Sequence, residues 1–393
     1  MSPGRAVAVV VIAELFGTSL WFSVNAVADA LNRAWGITPV ELGYLTSSVQ
    51  AGFIVGTLVL ALTGLADRFP ASRIFAACAL VGALANGAFA FSAGSLAAAL
   101  GWRFLTGLAL AGIYPLGMKL VVSWAPQQAG RVLGWLVGML VLGTGLPHLV
   151  RGLAVTPGWQ GVLFVASGLA LVAGVMIGWL GVGPHHGVGR RLQWGGVLKT
   201  FRVPAFRAAA LGYFGHMWEL YAFWAVVPLL IGSWAGGAPV QAVYLAAAGV
   251  FLAGGLGCFA GGLLSHRWGS AAVASLALAG SACLCLLYPV VAGMTPRPPQ
   301  GLLFAMLLVW GFLVVADSPQ FSALAAAACP PEQMGSALAL MNSAGFALTI
   351  VAIEVVTVAW HTAGAHIAWL LLPGPLLGLA AMRPLWRVRA APG

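Results

Sequence analysis

Four of the eight acidic residues in this 393-residue chain lie inside long apolar stretches: Glu14, Glu219, Asp317 and Glu354. A charged side chain at the centre of a bilayer costs at least about 2.5 to 3.5 kcal/mol on insertion scales. We therefore expect embedded acids to be retained because they bind protons or a polar solute. A carboxyl group that can gain and lose a proton near neutral pH is what proton coupling requires.

The first apolar stretch carries a polar stripe. Glu14, Thr18, Trp21 and Asn25 are spaced i, i+4, i+7 and i+11, which places them on one face of a continuous helix. Glu14, Thr18 and Asn25 are therefore candidates for a proton or solute pathway. The alternative is a structural hydrogen bond or ion pair between helices.

A second group lies in the seventh stretch. Tyr213, His216 and Glu219 follow one another at steps of three, so an imidazole and a carboxylate face a common direction. Such a pair can relay a proton or bind a polar solute. The alternative is a polar patch that packs against a neighbouring helix.

Arg103 and Tyr114 lie along one face of the fourth stretch, eleven residues apart. A guanidinium group stays charged and binds carboxylates or phosphates through two parallel hydrogen bonds. This pattern predicts an anionic solute. Alternatively, Arg103 pairs with an acid such as Glu14 or extends its charged end to the outer surface.

Prolines are expected to bend the fourth and tenth stretches at Pro115 and Pro319, because each lacks an amide hydrogen. Asp317, Ser318 and Gln320 place polar groups beside the second bend. They are candidates for the solute pathway. Asp317 is equally well placed to act as a gate near the cytoplasmic mouth.

These residues must be positioned by membrane helices. Hydrophobic residues make up 61% of the chain, charged residues 7%, and mean hydropathy is +0.98. A spanning helix needs about 20 mainly apolar residues, and strands are excluded because the stretches do not alternate. The first stretch is expected to be a helix and not a cleaved signal peptide. The predicted spans are 6–29, 41–64, 74–94, 97–122, 131–152, 160–182, 207–232, 239–264, 270–293, 301–328, 334–358 and 361–382.

Basic residues predict the orientation. Most of the 18 Lys and Arg residues fall on one side of the predicted spans, which predicts an inner-membrane protein with both termini cytoplasmic. The net charge of +10 thus reflects topology and requires no nucleic-acid partner. The predicted units are a six-helix bundle at 1–182, a cytoplasmic loop at 183–206, and a second six-helix bundle with a short tail at 207–393.

The second half repeats the first. Three short matches occur in order at offsets of 198 to 205 residues. They predict a duplicated, pseudo-symmetric six-helix unit with the solute site between the halves. The matched pairs are Phe16-Gly17 with Phe214-Gly215, Asp67-Arg68 with His266-Arg267, and Pro126 and Gly130 with Pro331 and Gly335.

The loop after the second stretch resembles the G-x-L-A-D-R-x-G-R-[KR] signature of the major facilitator superfamily, although Thr63 and Pro70 replace its two glycines. Arg103-Phe104-Leu105-Thr106-Gly107 is similar to the family's R-x-x-x-G element. The resemblance implies alternating access, with the first, fourth, seventh and tenth helices lining a central cavity. The loop reads Gly64-Leu65-Ala66-Asp67-Arg68-Phe69-Pro70-Ala71-Ser72-Arg73.

Gating residues are expected at both ends. In the family the loop acid contacts the amino end of the eleventh helix, so Asp67, with Arg68 and Arg73, is expected to act as a gate. The alternative is that these residues merely anchor a loop. His148 and Glu354 match across the repeat and are candidates for an outer gate, although residues facing lipid headgroups would look the same.

The sequence thus predicts a secondary active transporter that moves a small polar, anionic solute, driven by protons and functional as a monomer. One alternative is proton-driven export of hydrophobic drugs or metabolites, suggested by 16 Trp residues and the embedded acids. Another is a receptor or scaffold that moves no solute. An enzyme, a cofactor and a metal site are not expected, because the Walker loop and HExxH are absent and the five Cys residues lack CxxC spacing.

Overall fold

The computed structural model describes residues 2–92, 94–155, 158–185, 200–329 and 334–387, and every regular element among them is helical. The central loop at 186–199 lies outside the described residues. Among the described residues, six main helices precede it: α1 (Pro3–Thr18), α2 (Pro39–Thr63), α3 (Ala71–Phe89), α4 (Leu96–Trp124), α5 (Ala129–Gly152) and α6 (Trp159–Leu180). Six follow it: α7 (Pro204–Trp234), α8 (Val240–Trp268), α9 (Ser270–Ala292), α10 (Gln300–Ala327), α11 (Met334–Ala363) and α12 (Pro373–Met382).

Ten segments of the described residues are long and apolar enough to cross a membrane. The difference from the twelve predicted spans has two causes. Helix α1 has only 16 residues, and α11 and α12 are counted within the single stretch Ala337–Trp386. The predicted class, an all-α polytopic membrane protein built from two bundles, is confirmed.

The prolines break their helices as predicted. Helix α4 is interrupted between Leu110 and Tyr114, directly before Pro115. Helix α10 is interrupted between Ala316 and Ser318, directly before Pro319. The missing amide hydrogen of each proline explains why both breaks occur at these positions.

The prediction of one continuous first helix over 6–29 was wrong. Helix α1 ends at Thr18, and turns lead to a 3₁₀ segment at Asn25–Val27 and a short helix at Ala28–Trp35. The hydroxyl groups of Thr18 and Ser19 donate to the carbonyls of Glu14 and Phe16, at 2.7 and 2.6 Å. Such local bonds compete with the helical ladder. The i+11 argument for Asn25 therefore does not hold.

Close glycine contacts pack the bundles. In the first half, a Cβ atom on Gly52 of α2 or Gly107 of α4 would collide with the carbonyl oxygen of Phe104 or Val49 across the interface. In the second half, a Cβ atom on Gly257 of α8 would meet the Phe312 carbonyl of α10 in the same way. This correspondence between α2–α4 and α8–α10 agrees with the predicted repeat.

The two halves meet along two helix pairs, α5 with α8 and α2 with α11. We call the side on which α1 begins the near side, and the opposite side, where α1 and α7 end and α2 and α8 begin, the far side. The middle of the molecule is enclosed by helices from both halves, and the candidate site lies there.

Candidate functional site

A small central cavity lies between the halves, with a volume of about 40 Å³. Helices α4 and α5 form one wall, and α7, α10 and α11 form the other. Its polar lining consists of hydroxyl and amide groups, and its lining residues include no charged side chain. The polar members of the lining, together with one aromatic ring, are Tyr114, Tyr213, Tyr221, Ser318, Ser322, Asn342 and Phe346.

Aromatic rings close this central cavity on the far side. The Trp21 ring centroid lies 5.5 Å from that of Tyr221 and 5.7 Å from that of Phe346. The indole nitrogen of Trp21 donates to Gln50 Oε1 at 3.2 Å, which fixes the ring. The structure is therefore closed between the cavity and the far side. On the opposite side of the cavity, Ser322, towards the near-side end of α10, is exposed.

Glu14 lies behind the Tyr114 wall of the cavity. Its side chain is fully buried, and neither carboxylate oxygen has a hydrogen-bond partner within the described part of the chain. Oε2 packs against Gly117, three residues after Tyr114 on α4, where a Cβ atom would collide with it. The Thr18 hydroxyl donates to the Glu14 backbone carbonyl at 2.7 Å, so this bond does not involve the carboxylate. The buried carboxyl is thus left available for a proton.

His216 of α7 faces Asp317 at the break in α10. Nδ1 of the imidazole lies 2.8 Å from Oδ1 of the carboxylate, and both side chains are buried. Because Ser318 lines the central cavity, the pair lies directly beside it. Gln320 lies elsewhere: it lines a separate cavity of about 740 Å³ towards the near side, together with Arg131.

Glu219 is positioned differently from His216. Its carboxylate accepts hydrogen bonds from Trp310 Nε1 at 2.6 Å, Ser281 Oγ at 2.8 Å and Cys285 Sγ at 3.3 Å. These donors come from α9 and α10, inside the second bundle. The spacing predicted that His216 and Glu219 act as one pair. Instead, His216 contacts Asp317, and Glu219 bonds to α9 and α10.

Arg103 holds the broken end of α1. Its guanidinium group is fully buried and donates to the backbone carbonyls of Leu20, at 3.1 Å, and Trp21, and also to Ser23 Oγ at 3.2 Å. Asn86 Oδ1 lies 3.4 Å away. No described acid contacts it. The group is therefore directed to the interior of the first bundle, while Tyr114, predicted to share its face, lines the cavity.

The far side is closed by contacts between the halves. Ser47 Oγ of α2 donates to Glu354 Oε1 of α11 at 2.5 Å. The backbone amide of Asp29 donates to the Tyr244 hydroxyl of α8 at 3.3 Å. Within the first half, Arg151 of α5 donates to the Asp29 carboxylate at 2.9 Å. Sequence reasoning missed Asp29 because it follows the break in α1.

The other predicted gating residues differ in their burial. His148 is buried with its ring 4.9 Å from that of Phe251 across the interface, and neither ring nitrogen has a hydrogen-bond partner among the described residues. Arg68 and Arg73 are exposed. The side chain of Asp67 and the residues at 330–333, before the described start of α11, lie outside the described residues.

Several lining residues were missed by the sequence reasoning. Ser322 follows Ser318 by four residues, and Asn342 is an amide within the apolar helix α11. Both are polar groups within a membrane span, which is the same feature that identified the embedded acids as candidates. Tyr221 resembled the packing aromatics around it. Among the described residues, no cluster of His, Cys, Asp and Glu could hold a metal ion.

A sequence profile of the Major Facilitator Superfamily matches residues 8–353. The chain belongs to this family. Two solved structures of the fold superpose over nearly the whole chain. A D-xylose-proton symporter superposes with a TM-score of 0.76 and 15% identity, covering 98% of this chain and 97% of that chain. A bacterial homologue of the human lysosomal transporter Spinster superposes with a TM-score of 0.75 and 13% identity, covering 100% of this chain and 99% of that chain.

Family relatives match over shorter lengths. The niacin transporter NiaP of Acinetobacter baylyi is 33% identical over 156 residues, covering 37% of this chain and 33% of that protein. The putative uncharacterized transporter YgaY of Escherichia coli strain K12 is 29% identical over 180 residues, covering 44% and 43%. The chain thus spans less than half the length of these curated relatives. All four proteins are named as transporters or symporters, and none as an enzyme.

Proposed function

We propose that this chain is a proton-coupled secondary transporter that carries a small carboxylate, with a ring or similar apolar body, by alternating access. The observation that carries the proposal is the position of Glu14: fully buried, without hydrogen-bond partners in the described residues, and beside the wall of a cavity between the halves.

The coupling follows from charge. Two negative groups held close together in a medium of low dielectric repel each other, and the repulsion falls with distance. An anionic solute that enters the central cavity therefore binds well only when Glu14 carries a proton. Release of the solute on the other side then lets Glu14 lose that proton. One solute and one proton cross together, which is symport.

The lining defines the class of solute, although the cavity, at about 40 Å³ in this closed structure, must widen to admit one. Tyr, Ser and Asn side chains supply hydrogen-bond donors that can bind a carboxylate without a cation, and the aromatic rings can pack against an apolar ring. The name of one relative, a niacin transporter, supports an aromatic monocarboxylate. Arg103 is not assigned to the solute, because its donors are directed at the backbone of α1.

The His216–Asp317 pair is proposed as a second proton-binding group. It lies at the break in α10, beside Ser318 in the cavity lining. A change in its protonation alters the contact between α7 and α10 and so the shape of the cavity. Glu219 is proposed to support this region by anchoring α9 and α10 to α7.

The distribution of Lys and Arg supports the proposal that the near side is cytoplasmic, that both termini lie there, and that the membrane is the inner cell membrane. Each bundle supplies one wall of the cavity, so we propose a monomer as the working unit. Asp29, Glu354 and His148 are proposed as the far-side gate, and Asp67, Arg68 and Arg73 as the near-side gate.

Export of lipophilic compounds is the second candidate, favoured by the aromatic closure around Trp21. A flux experiment separates the candidates. The protein is reconstituted in liposomes that contain a trapped pH dye, and nicotinate, benzoate and tetraphenylphosphonium are added in turn. We expect proton movement with the carboxylates. Proton movement with tetraphenylphosphonium alone would establish the exporter, and binding without flux would establish a receptor.

A further inference from the structure

A second cavity, of about 320 Å³, lies at the far side where the two halves meet. We call it the far-side cavity. Its volume is at the lower end of the range for small-molecule pockets, about 300 to 1,000 Å³. The first half supplies Asn25, Asp29 and the start of α2, and the second half supplies the end of α7 and the start of α8.

The aromatic closure separates this cavity from the central one. Trp21 packs against Tyr221, and Tyr221 lines the central cavity. Asn25 and Ala225 follow these two residues by four positions and line the far-side cavity. The two cavities thus lie on opposite sides of one aromatic layer.

Asn25 lines this cavity and has one buried side-chain acceptor without a partner among the described residues. The Thr46 hydroxyl has one proton and donates it to the Leu42 carbonyl at 2.8 Å. It must therefore accept from Asn25 Nδ2, which lies 2.9 Å away. This fixes the orientation of the amide. Asn25 is 1% exposed, and its Oδ1 has no hydrogen-bond partner within the described part of the chain.

The charge of the wall selects a neutral ligand. Asp29 also lines the cavity; its Oδ2 accepts from Arg33 and from Arg151, and its Oδ1 is a further acceptor that has no hydrogen-bond partner among the described residues. A third cation would gain little there and would approach Arg151. The opposite wall is apolar, with Pro228, Leu229 and Gly232 of α7.

We propose that the far-side cavity is a second ligand site, which binds a small neutral molecule that has an N–H or O–H donor on an apolar body. The donor bonds Asn25 Oδ1, and the body packs against α7. Because the walls come from both halves, the ligand binds only while the far side is closed. Its binding therefore holds the transporter in that state.

The test uses benzamide as the probe and N,N-dimethylbenzamide, which lacks the donor, as its matched control. Binding to the purified full-length protein in nanodiscs is measured by calorimetry. We expect benzamide to bind at least fivefold more tightly than the dimethyl compound. Equal affinities, or no benzamide binding up to millimolar concentration, would overturn the proposal.

Two substitutions locate the site. Gly232→Phe fills the far-side cavity, and a Cβ atom on Gly232 meets nothing within 4 Å. Gly168→Phe is the control, because Gly168 on α6 is equally open and does not line the cavity. We expect Gly232→Phe to abolish benzamide binding and Gly168→Phe to retain it. Binding that survives Gly232→Phe would refute the site. Should that variant fail to fold, Asn25→Leu tests the same prediction.

The effect of benzamide on the closed state is measured separately, by the rate at which a disulfide forms between the two halves. A Cβ atom on Gly43 of α2 would lie 3.1 Å from the Thr357 Cβ of α11, so Gly43→Cys with Thr357→Cys can form a disulfide when the far side is closed, after the helices move apart by a few tenths of an ångström. Benzamide is expected to speed this disulfide at least twofold. An unchanged or slower rate would contradict the link between binding and closure, whether or not the chain transports carboxylates.

Discussion

At the scale of single residues, the embedded charges divide according to their partners. Glu219 accepts three hydrogen bonds, and Arg103 donates to two backbone carbonyls. Glu14 is equally buried, yet neither of its oxygens has a hydrogen-bond partner among the described residues. A buried polar group without a partner is costly, so its presence points to function more strongly than burial alone.

Tyr213→Phe tests the lining of the central cavity. Loss of one hydrogen bond, worth about 0.5 to 1.5 kcal/mol, should raise the dissociation constant for nicotinate about two- to tenfold. Tyr288→Phe is the control, because Tyr288 is buried against Trp234 and lies outside the cavity lining. Calorimetry on both variants checks the prediction. Equal affinities in Tyr213→Phe and the unaltered protein would remove Tyr213 from the site.

At the scale of elements, the break in α1 explains the position of Arg103. The turn after Thr18 frees the carbonyls of Leu20 and Trp21, and the guanidinium group satisfies both in the interior of the bundle. Arg103→Gln leaves at least one buried carbonyl unpaired, at a cost of about 1 to 3 kcal/mol. We expect a lower temperature of half-unfolding in detergent.

Arg33→Gln provides the matched control for Arg103, because the Arg33 side chain is 61% exposed. Its exposed ion pair should contribute at most about 1 kcal/mol. If Arg103→Gln unfolds at the same temperature as the unaltered protein, the clamp on α1 is refuted. Loss of transport in Arg103→Gln alone would not identify an anionic solute, since the fold itself depends on this residue.

The contact between α2 and α4 depends on glycine. A methyl group at Gly107 would collide with the backbone of Val49, so Gly107→Ala should destabilise the first bundle by about 1 to 3 kcal/mol. Gly101→Ala on the same helix meets nothing within 4 Å and should be neutral or slightly stabilising. Thermal unfolding of the two variants checks this. A stable Gly107→Ala variant would show that the helices can separate without cost.

At the scale of the whole molecule, the two halves must part on the far side for alternating access to operate. The disulfide between Gly43→Cys and Thr357→Cys holds α2 against α11 and should abolish transport, with recovery on reduction. Each single-cysteine variant serves as a control for the five native cysteines. Continued flux through the fully cross-linked protein would exclude alternating access by this opening.

Much of the architecture was predictable, because the length of an apolar stretch and the position of a proline determine where a helix forms and bends. The positions of most helices and the two bends before Pro115 and Pro319 follow from local sequence, whereas the span predicted at 361–382 is interrupted by a 3₁₀ segment at Gly364–Ile367 and its main helix begins at Pro373. The break in α1 was not predictable, because no proline marks it and Arg103, which stabilises it, lies 83 residues away from Leu20 in the sequence. The separation of His216 from Glu219 likewise depends on partners contributed by α9 and α10.

Glu14→Gln provides the most direct test of the central claim, because glutamine resembles the protonated carboxyl but cannot release a proton. In liposomes this variant should still exchange labelled nicotinate for unlabelled nicotinate, but should not accumulate it when a proton gradient is imposed. Glu41→Gln is the control: Glu41 completes the capping box at the start of α2, a role that glutamine also fills, so both activities should remain. Full proton-driven accumulation by Glu14→Gln would contradict the account.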